Sequence, residues 1–367
     1  MDSFTDRVYG QSRALFTLEK FVEAQRVPQS LIFYGEDGVG KFKAALEFAK
    51  LINEDTSSPH VLKKIEKHSE PYLKHVFPLP RGKNETSEDG PTEKILDAPL
   101  KQIQEEISKK VLNPYYSLSI EKANDVKISS IRDIKKFISL DYSDVKYRVI
   151  IISDAHLMNE SAQNALLKSL EEPPEGIIFI LLTHKLDQIL PTIQSRCWKI
   201  RFEPLNVKDV AAILNKYFNI DGELSKEVAN FSDGSVNKAL NLLDNNFKEL
   251  VDSTITILRY GLAGKYHTAL AEWDKYMEGK TTDNMHHILD MIIKWLDDVV
   301  KDRNNIPGYY FENHKETVER FNSKFSKVEI QGVLETINQL HSYISRNVTL
   351  NIIAMNVIFE LHSIVRR

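Results

Sequence analysis

The sequence predicts an α/β fold: a doubly wound parallel sheet in the first half of the chain, then helices to its end. Three observations predict it. Gly35-Glu36-Asp37-Gly38-Val39-Gly40-Lys41 reads G-x-x-x-x-G-K between an apolar run and a helical one. Val149-Ile150-Ile151-Ile152 and the run I-I-F-I-L-L over 177–182 are continuously apolar, as strands covered on both faces are. Segments of helical spacing alternate with such runs to about residue 202, and no strand pattern returns beyond it.

Taken in order, helical spacing over 12–24 leads into a first strand, S-L-I-F-Y over 30–34. The glycine loop follows, and 42–52 carries helical spacing, which is the strand, loop, helix order that a phosphate-binding loop requires. Glycines let backbone N–H groups converge on phosphate, and Lys41 reaches the β/γ-phosphates. Phe42 stands where a Ser or Thr hydroxyl would bind Mg²⁺. The alternative is a tight strand-to-helix turn that uses its glycines only for backbone freedom. From 53 to 114 the pattern breaks: Ser57-Ser58-Pro59, Pro78-Leu79-Pro80-Arg81-Gly82-Lys83 and the polar run 84–91 read as an insertion or surface loop around one helix, 93–110.

Alternation resumes with strands over 118–120, 147–152 and 177–182, helices over 128–140 and 160–170, and a last strand over 198–202. Three short helices, 209–218, 225–229 and 235–243, suggest a small helical unit. On the last helix Leu350, Ile353, Ala354, Val357, Ile358, Leu361, Ile364 and Val365 form a wide apolar stripe. Its cover comes either from a bundle within the chain or from a neighbouring subunit.

At 367 residues the chain is long enough for two or three domains. Apolar residues at 42% and a formal net charge of −4 give no global pull toward nucleic acid or an anionic membrane, so any DNA contact must be local. Lys135, Lys136 and Lys168 are candidates for it. The single Cys197 excludes an intrachain disulfide framework, and residues 1–6 show no signal-peptide pattern, which together predict a reducing, cytoplasmic setting. The apolar stretch 348–365 carries Asn351, Asn356, Glu360 and His362 and is too polar to span a membrane.

The second half of a P-loop site is an acidic residue at the end of another buried strand. Here that strand runs into Ser153-Asp154. Aligned by its apolar run, Ser153 takes the metal-side position and Asp154 that of the catalytic acid; a slip of one residue would instead make Asp154 the metal carboxylate. In the first alignment two contacts to one ion, at Phe42 and at Ser153, are both degraded. Hydrolysis is then the activity lost.

Asp154-Ala155-His156-Leu157-Met158, the run N-A-L-L-K-S-L-E-E-P-P over 164–174, and Ser195-Arg196-Cys197 resemble bacterial sliding-clamp loader subunits of the AAA+ class. The resemblance covers most of 7–52 and 115–245, and more loosely the helical C-terminal part. It implies an AAA+ P-loop α/β domain over 1–203, with 53–114 as an atypical insertion, a small three-helix lid domain over 204–264 and an α-helical collar domain for oligomerisation over 265–367. The degraded metal positions resemble the delta prime members of the DNA polymerase III loader rather than the ATP-hydrolysing gamma/tau members.

The resemblance also implies roles, position by position. Arg196, with Ser195 beside it, is the arginine finger that reaches in trans to ATP held by a neighbouring gamma/tau subunit, where a guanidinium stabilises charge on the transferring phosphoryl group. Gly35, Gly38, Gly40, Lys41, Asp154 and Thr183 form a degenerate nucleotide site, with Thr183 in the polar sensor position; it requires no cofactor and is compatible with ATP or ADP held without hydrolysis. In Gly234-Ser235-Val236-Asn237-Lys238-Ala239-Leu240, Asn237 replaces the second sensor's arginine. The four-cysteine zinc module usual in such subunits has no thiolates here, and His60, His68 and His75 are expected at the solvent surface, so no zinc and no metal ligands are expected. The implied partners are gamma/tau and delta subunits and, through the complex, the sliding clamp and primed DNA. Two rivals are an active gamma/tau-like ATPase and an autonomous DNA-binding replication or repair factor.

Overall fold

The computed structural model describes residues 4–366 except 87, 140–141, 143–144, 278–281 and 347. In the first half, α1 (Ser12–Glu23) precedes β1 (Ser30–Tyr34) and α2 (Lys41–Leu51). Then come α3 (Pro59–Glu66), β2 (Leu73–Val76), α4 (Asp97–Leu112) and α5 (Ile128–Ser139). β3 (Arg148–Ile152), α6 (Glu160–Glu171), β4 (Ile177–Thr183), α7 (Pro191–Gln194), β5 (Trp198–Arg201) and α8 (Val207–Phe218) complete it.

The five strands form one parallel sheet in the order β2-β3-β4-β1-β5, with Ile32 of β1 opposite Leu181 of β4 and Ile150 of β3 opposite Phe179. Ile150, Ile152, Phe179 and Leu181 pack with Ile131, Ile134 and Phe137 of α5 and Ala162 and Leu166 of α6. The alternate residues Leu31, Phe33, Ile151, Ile178 and Ile180 are equally buried, and α2 packs against β3 and β4. Helical cover on both faces of the central strands β1, β3 and β4, whose buried side chains are mainly apolar, is what a doubly wound arrangement demands. Because β1 lies inside the sheet between β4 and β5, the glycine loop leaves from within the sheet rather than from its edge.

β2 lies inside the segment read from sequence as a polar loop. It pairs with β3 from Leu73↔Val149 to Val76↔Ile152 and forms an edge of the sheet. Its L-K-H-V pattern hides it, since two of four residues are polar, but both are partnered: Lys74 meets Glu70 at 2.7 Å and Asp133 at 2.8 Å, and His75 meets Ser153. α4 begins at Asp97 rather than at 93, with Pro99 in its first turn, where a missing N–H costs least. The strand expected over 118–120 does not form. Glu106 takes the Ser119 N–H at 2.7 Å, and Leu118 and Ile120 pack on Phe77, Leu79 and Ile103 instead of on a neighbouring strand. Leu140, the expected end of α5, lies outside the described residues.

The second half is helical: α9 (Gly222–Phe231), α10 (Val236–Asp244), α11 (Phe247–Leu262), α12 (Tyr266–Met277), α13 (Thr282–Arg303), α14 (Lys315–Lys324), α15 (Gln331–Tyr343) and α16 (Leu350–Arg366). Two compact units result, Met1–Ala229 with Asp233–Asn237, and Asn230–Ser232 with Lys238–Arg367, so the divide falls within 204–264. In the second unit α16 packs on α11, α12 and α15. Ile353, Ala354, Val357, Ile358, Leu361 and Ile364 are thereby buried inside this chain, which answers what covers the stripe. Ile352, Met355 and Phe359 remain exposed on the same helix. Asp298, fully buried, accepts from the backbone N–H groups of Tyr310 at 2.9 Å and Phe311 at 2.8 Å and so anchors the chain beyond α13. Among the described residues no helix is long and apolar enough to cross a membrane.

Candidate functional site

The loop between β1 and α2 holds its shape through glycines that nothing else can replace. Gly35 has φ 146°, and a Cβ there would stand 2.1 Å from the Phe202 carbonyl oxygen. Gly38, at φ 72°, would meet the Asn237 backbone nitrogen at 2.5 Å, and Gly40, at φ 88°, precedes the first turn of α2. These conformations turn the loop around the N-terminus of α2, where free N–H groups favour an anion.

A cavity of about 350 Å³ opens over the loop and brings together five of the predicted site residues: Gly38, Gly40, Lys41, Asp154 and Thr183. Lys41 is buried, and its ammonium donates to the carbonyls of Gly35 at 2.8 Å and Glu36. Burial holds its pKa below the ordinary lysine value. Asp154 follows β3 in a left-handed conformation with φ 50°. Burial, reinforced by Asp37, raises its carboxyl above the usual aspartate value. Thr183 ends β4, 1% exposed, with its hydroxyl 3.2 Å from His156 Nδ1 and accepting the Lys185 N–H at 3.0 Å. Asn237 donates to Asp37 across the mouth of the loop.

Neither Phe42 nor Ser153 offers Mg²⁺ an open ligand. Phe42 is buried with its ring 4.7 Å from that of His75 and 5.1 Å from that of His68. The Ser153 hydroxyl is engaged by His75 Nε2 at 2.9 Å. Burial, with His68 and Lys110 close by, drives the His75 pKa well below its ordinary value, so the ring is neutral. The expectation of solvent-exposed histidines is thus corrected: His60 is exposed, but His75 lies on β2 against Ser153, and both ring nitrogens of His68 are buried without a partner. Burial pushes His68 down to about 4. Asp154, His156 and His184 bring ligand atoms within 4.8 Å of one another, but imidazoles suit first-row transition ions, whereas Mg²⁺ requires oxygen.

Three residues of the cavity were invisible to sequence reasoning. Lys110, Tyr115 and Tyr116 arrive from α4 and the turn after it, some 70 residues beyond the loop. Lys110 is 8% exposed, donates to the carbonyls of Pro114 at 3.0 Å and Tyr116, and places its ammonium 4.2 Å from the centre of the Phe42 ring. Burial lowers its pKa to about 7. A Lys-Lys pair near the end of an amphipathic helix reads as solvated surface, so no local signal marks it.

Ser195 and Arg196 lie apart from this cavity. Both are exposed just past α7, where Arg196 pairs with Glu171 at 2.8 Å and donates to the Thr192 carbonyl at 2.9 Å. The Ser195 hydroxyl donates to the same carbonyl at 3.0 Å. Cys197 beside them is buried and its thiol pushed up to about 12, which removes it as a nucleophile.

Residues 10–206, more than half the chain, match a family described as DNA polymerase III, delta subunit. The DNA polymerase III subunit gamma of Buchnera aphidicola subsp. Schizaphis graminum is 31% identical over 185 residues, 48% of this chain and 50% of that protein. The subunit tau of Bacillus subtilis is 29% identical over 244 residues, 65% of this chain and 36% of that protein. Replication factor C subunit 3 of Schizosaccharomyces pombe is 27% identical, over 62% of this chain and 52% of its own. The chain thus spans about a third to a half of the length of these curated relatives. A gamma subunit-related protein of Thermotoga maritima aligns over 94% of this chain and 98% of its own with a TM-score of 0.43 and 16% identity. The chain belongs to the family described as DNA polymerase III, delta subunit.

Proposed function

We propose that this chain is a delta prime-type assembly subunit of the DNA polymerase III clamp loader, unable to hydrolyse ATP itself and supplying Arg196 to the ATP of a neighbouring gamma/tau subunit. The observation that carries the reading is the double loss at one ion: Phe42 replaces the hydroxyl ligand and is packed among His68, His75 and Lys110, while Ser153 replaces the carboxylate and is engaged by His75. An intact phosphate loop without a metal site favours binding over turnover. The exposed position of Arg196, outside the chain's own cavity, supports service to another subunit.

The partners in this reading are gamma/tau and delta subunits in a cytoplasmic complex, with the sliding clamp and primed DNA reached through it. The helices over 265–367 act as its collar, and the exposed Ile352, Met355 and Phe359 on α16 support a role in subunit contact. No structural zinc is required, since 53–114 contains no cysteine. The test is a loader reconstituted from gamma/tau, delta and this chain. Arg196→Ala should leave the assembly intact and lower its DNA-stimulated ATPase by at least about tenfold, a conservative threshold beside the ~10³–10⁵-fold that an arginine finger can supply. Unchanged ATPase in an intact complex removes the finger role, and Mg²⁺-dependent turnover by the isolated chain, lost in Lys41→Ala, replaces the reading with an active ATPase.

A further inference from the structure

The cavity over the loop is short of positive charge if Lys41 acts alone, because Asp37 and Asp154 face the same space. A working P-loop site corrects this with Mg²⁺, which the residues at positions 42 and 153 do not fit. Lys110 brings the missing charge. It is the only cation besides Lys41 among the described lining residues, and it is built in rather than incidental: 8% exposed, fixed by two backbone carbonyls after the last turn of α4, and seated on the Phe42 ring at 4.2 Å. Phe42 therefore does two things at once, removing the hydroxyl that a metal needs and presenting a π face to an ammonium. Of the three N–H groups of that ammonium, two have carbonyl acceptors, and no third oxygen or nitrogen acceptor is present among the described residues.

We infer that Lys110 stands in for Mg²⁺, so that this chain binds the polyphosphate of a nucleoside di- or triphosphate between Lys41, Lys110 and the N-terminus of α2 without a divalent ion. The inference rests on the reading of the loop as a phosphate site that has lost its metal; it is independent of the trans role of Arg196. Buried ammonium groups interact strongly with phosphate because little water screens them, and the loop N–H groups supply the remaining donors. It assigns a function to α4, a helix to which the sequence reading gave no role: α4 delivers a cation to the site that has lost its metal.

The experiment is titration of the full-length chain with ADP and with ATP, by calorimetry and by anisotropy of a fluorescent analogue, in EDTA and in Mg²⁺. Affinity in EDTA should match that in Mg²⁺ within about twofold, and Lys110→Met should weaken it by at least about tenfold in both. Lys110→Arg should retain EDTA-resistant binding, and melting curves identify any variant that fails to fold. A wild-type affinity that rises about tenfold or more with Mg²⁺ overturns the inference, as does absence of binding in either condition, or a folded Lys110→Met that binds like wild type. Turnover of ATP by the isolated chain would refute the ATPase-deficient reading and leave the EDTA comparison to be judged separately.

Discussion

The Lys110 ammonium lies 4.2 Å from the centre of the Phe42 ring, joining the last turn of α4 to the first turn of α2 across the phosphate loop. Position 42 thus belongs to a packed cluster with His68 and His75, and restoring one hydroxyl there does not rebuild a metal site. Phe42→Ser should remain without ATPase activity, because Ser153 stays bound to His75, and should lose about 3 kcal/mol of stability from removal of a buried ring. Denaturant unfolding and a steady-state ATPase assay read the two outcomes. Hydrolysis by the single variant would show that Ser153 is no obstacle.

Arg196 is exposed and its pair with Glu171 is a surface contact, so Arg196→Ala should change the stability of the isolated chain by no more than about 1 kcal/mol. Its effect belongs to the assembled loader. Arg196→Lys should also fail to support full ATPase activity there, since an ammonium lacks the planar fork of a guanidinium. Thermal melts of the chain alone, set beside ATPase rates of the complex, separate the two contributions; a large loss of melting temperature would make Arg196 structural.

Lys110 gives stability a defined pH dependence. Its folded pKa, about 7, lies below its ordinary value of 10.5, so between those limits the unfolded chain binds more protons and stability rises with pH. Below about pH 7 the full cost of burying the charge is present. The groups facing it are Asp37 and Asp154, which favour the charged form, and His68 and His75, whose rings are held neutral at neutral pH. Relative to Lys110→Met, the wild type should gain stability from about pH 7 to 10 in urea unfolding series. Parallel pH profiles for the two proteins would show that Lys110 is solvated.

Asp298 tests the second unit by itself. Asp298→Ala removes the acceptor of two backbone N–H groups in a fully buried setting and should destabilise by about 2–4 kcal/mol. Urea unfolding followed by the fluorescence of Trp295, on the same helix, measures it. A change within about 0.5 kcal/mol would mean that water replaces the carboxylate.

Thr183→Val keeps the volume at the end of β4 but strands the Lys185 N–H and removes the partner of His156 Nδ1. A loss of about 1–2 kcal/mol is expected in thermal or denaturant unfolding. A neutral result would place both groups in contact with solvent.

What could be read from sequence follows from what is local. The strands over 30–34, 147–152 and 177–182 are continuous apolar runs, and the structure places β1, β3 and β4 within a residue of them, because central strands of a parallel sheet need apolar side chains on both faces. The glycine loop was legible for a similar reason: its positive φ values demand specific residues at fixed spacing. β2 was not, since an edge strand tolerates Lys74 and His75 once Asp133, Glu70 and Ser153 meet them from elsewhere in the chain.

The sequence by itself determined the doubly wound sheet, the phosphate loop and the missing hydroxyl at Phe42, for each is written in adjacent residues whose backbone or burial requirements leave a periodic or fixed pattern. Only the tertiary structure decided that Ser153 is held by His75, that the α16 stripe is covered within its own unit, and that Lys110 sits on Phe42. Those relations join Lys110 to Phe42 across 68 positions, Ser153 to His75 across 78, and α16 to separate helices, and a buried charge is stabilised by partners that folding alone brings to it, so its own neighbours in the chain carry no sign of where it will lie.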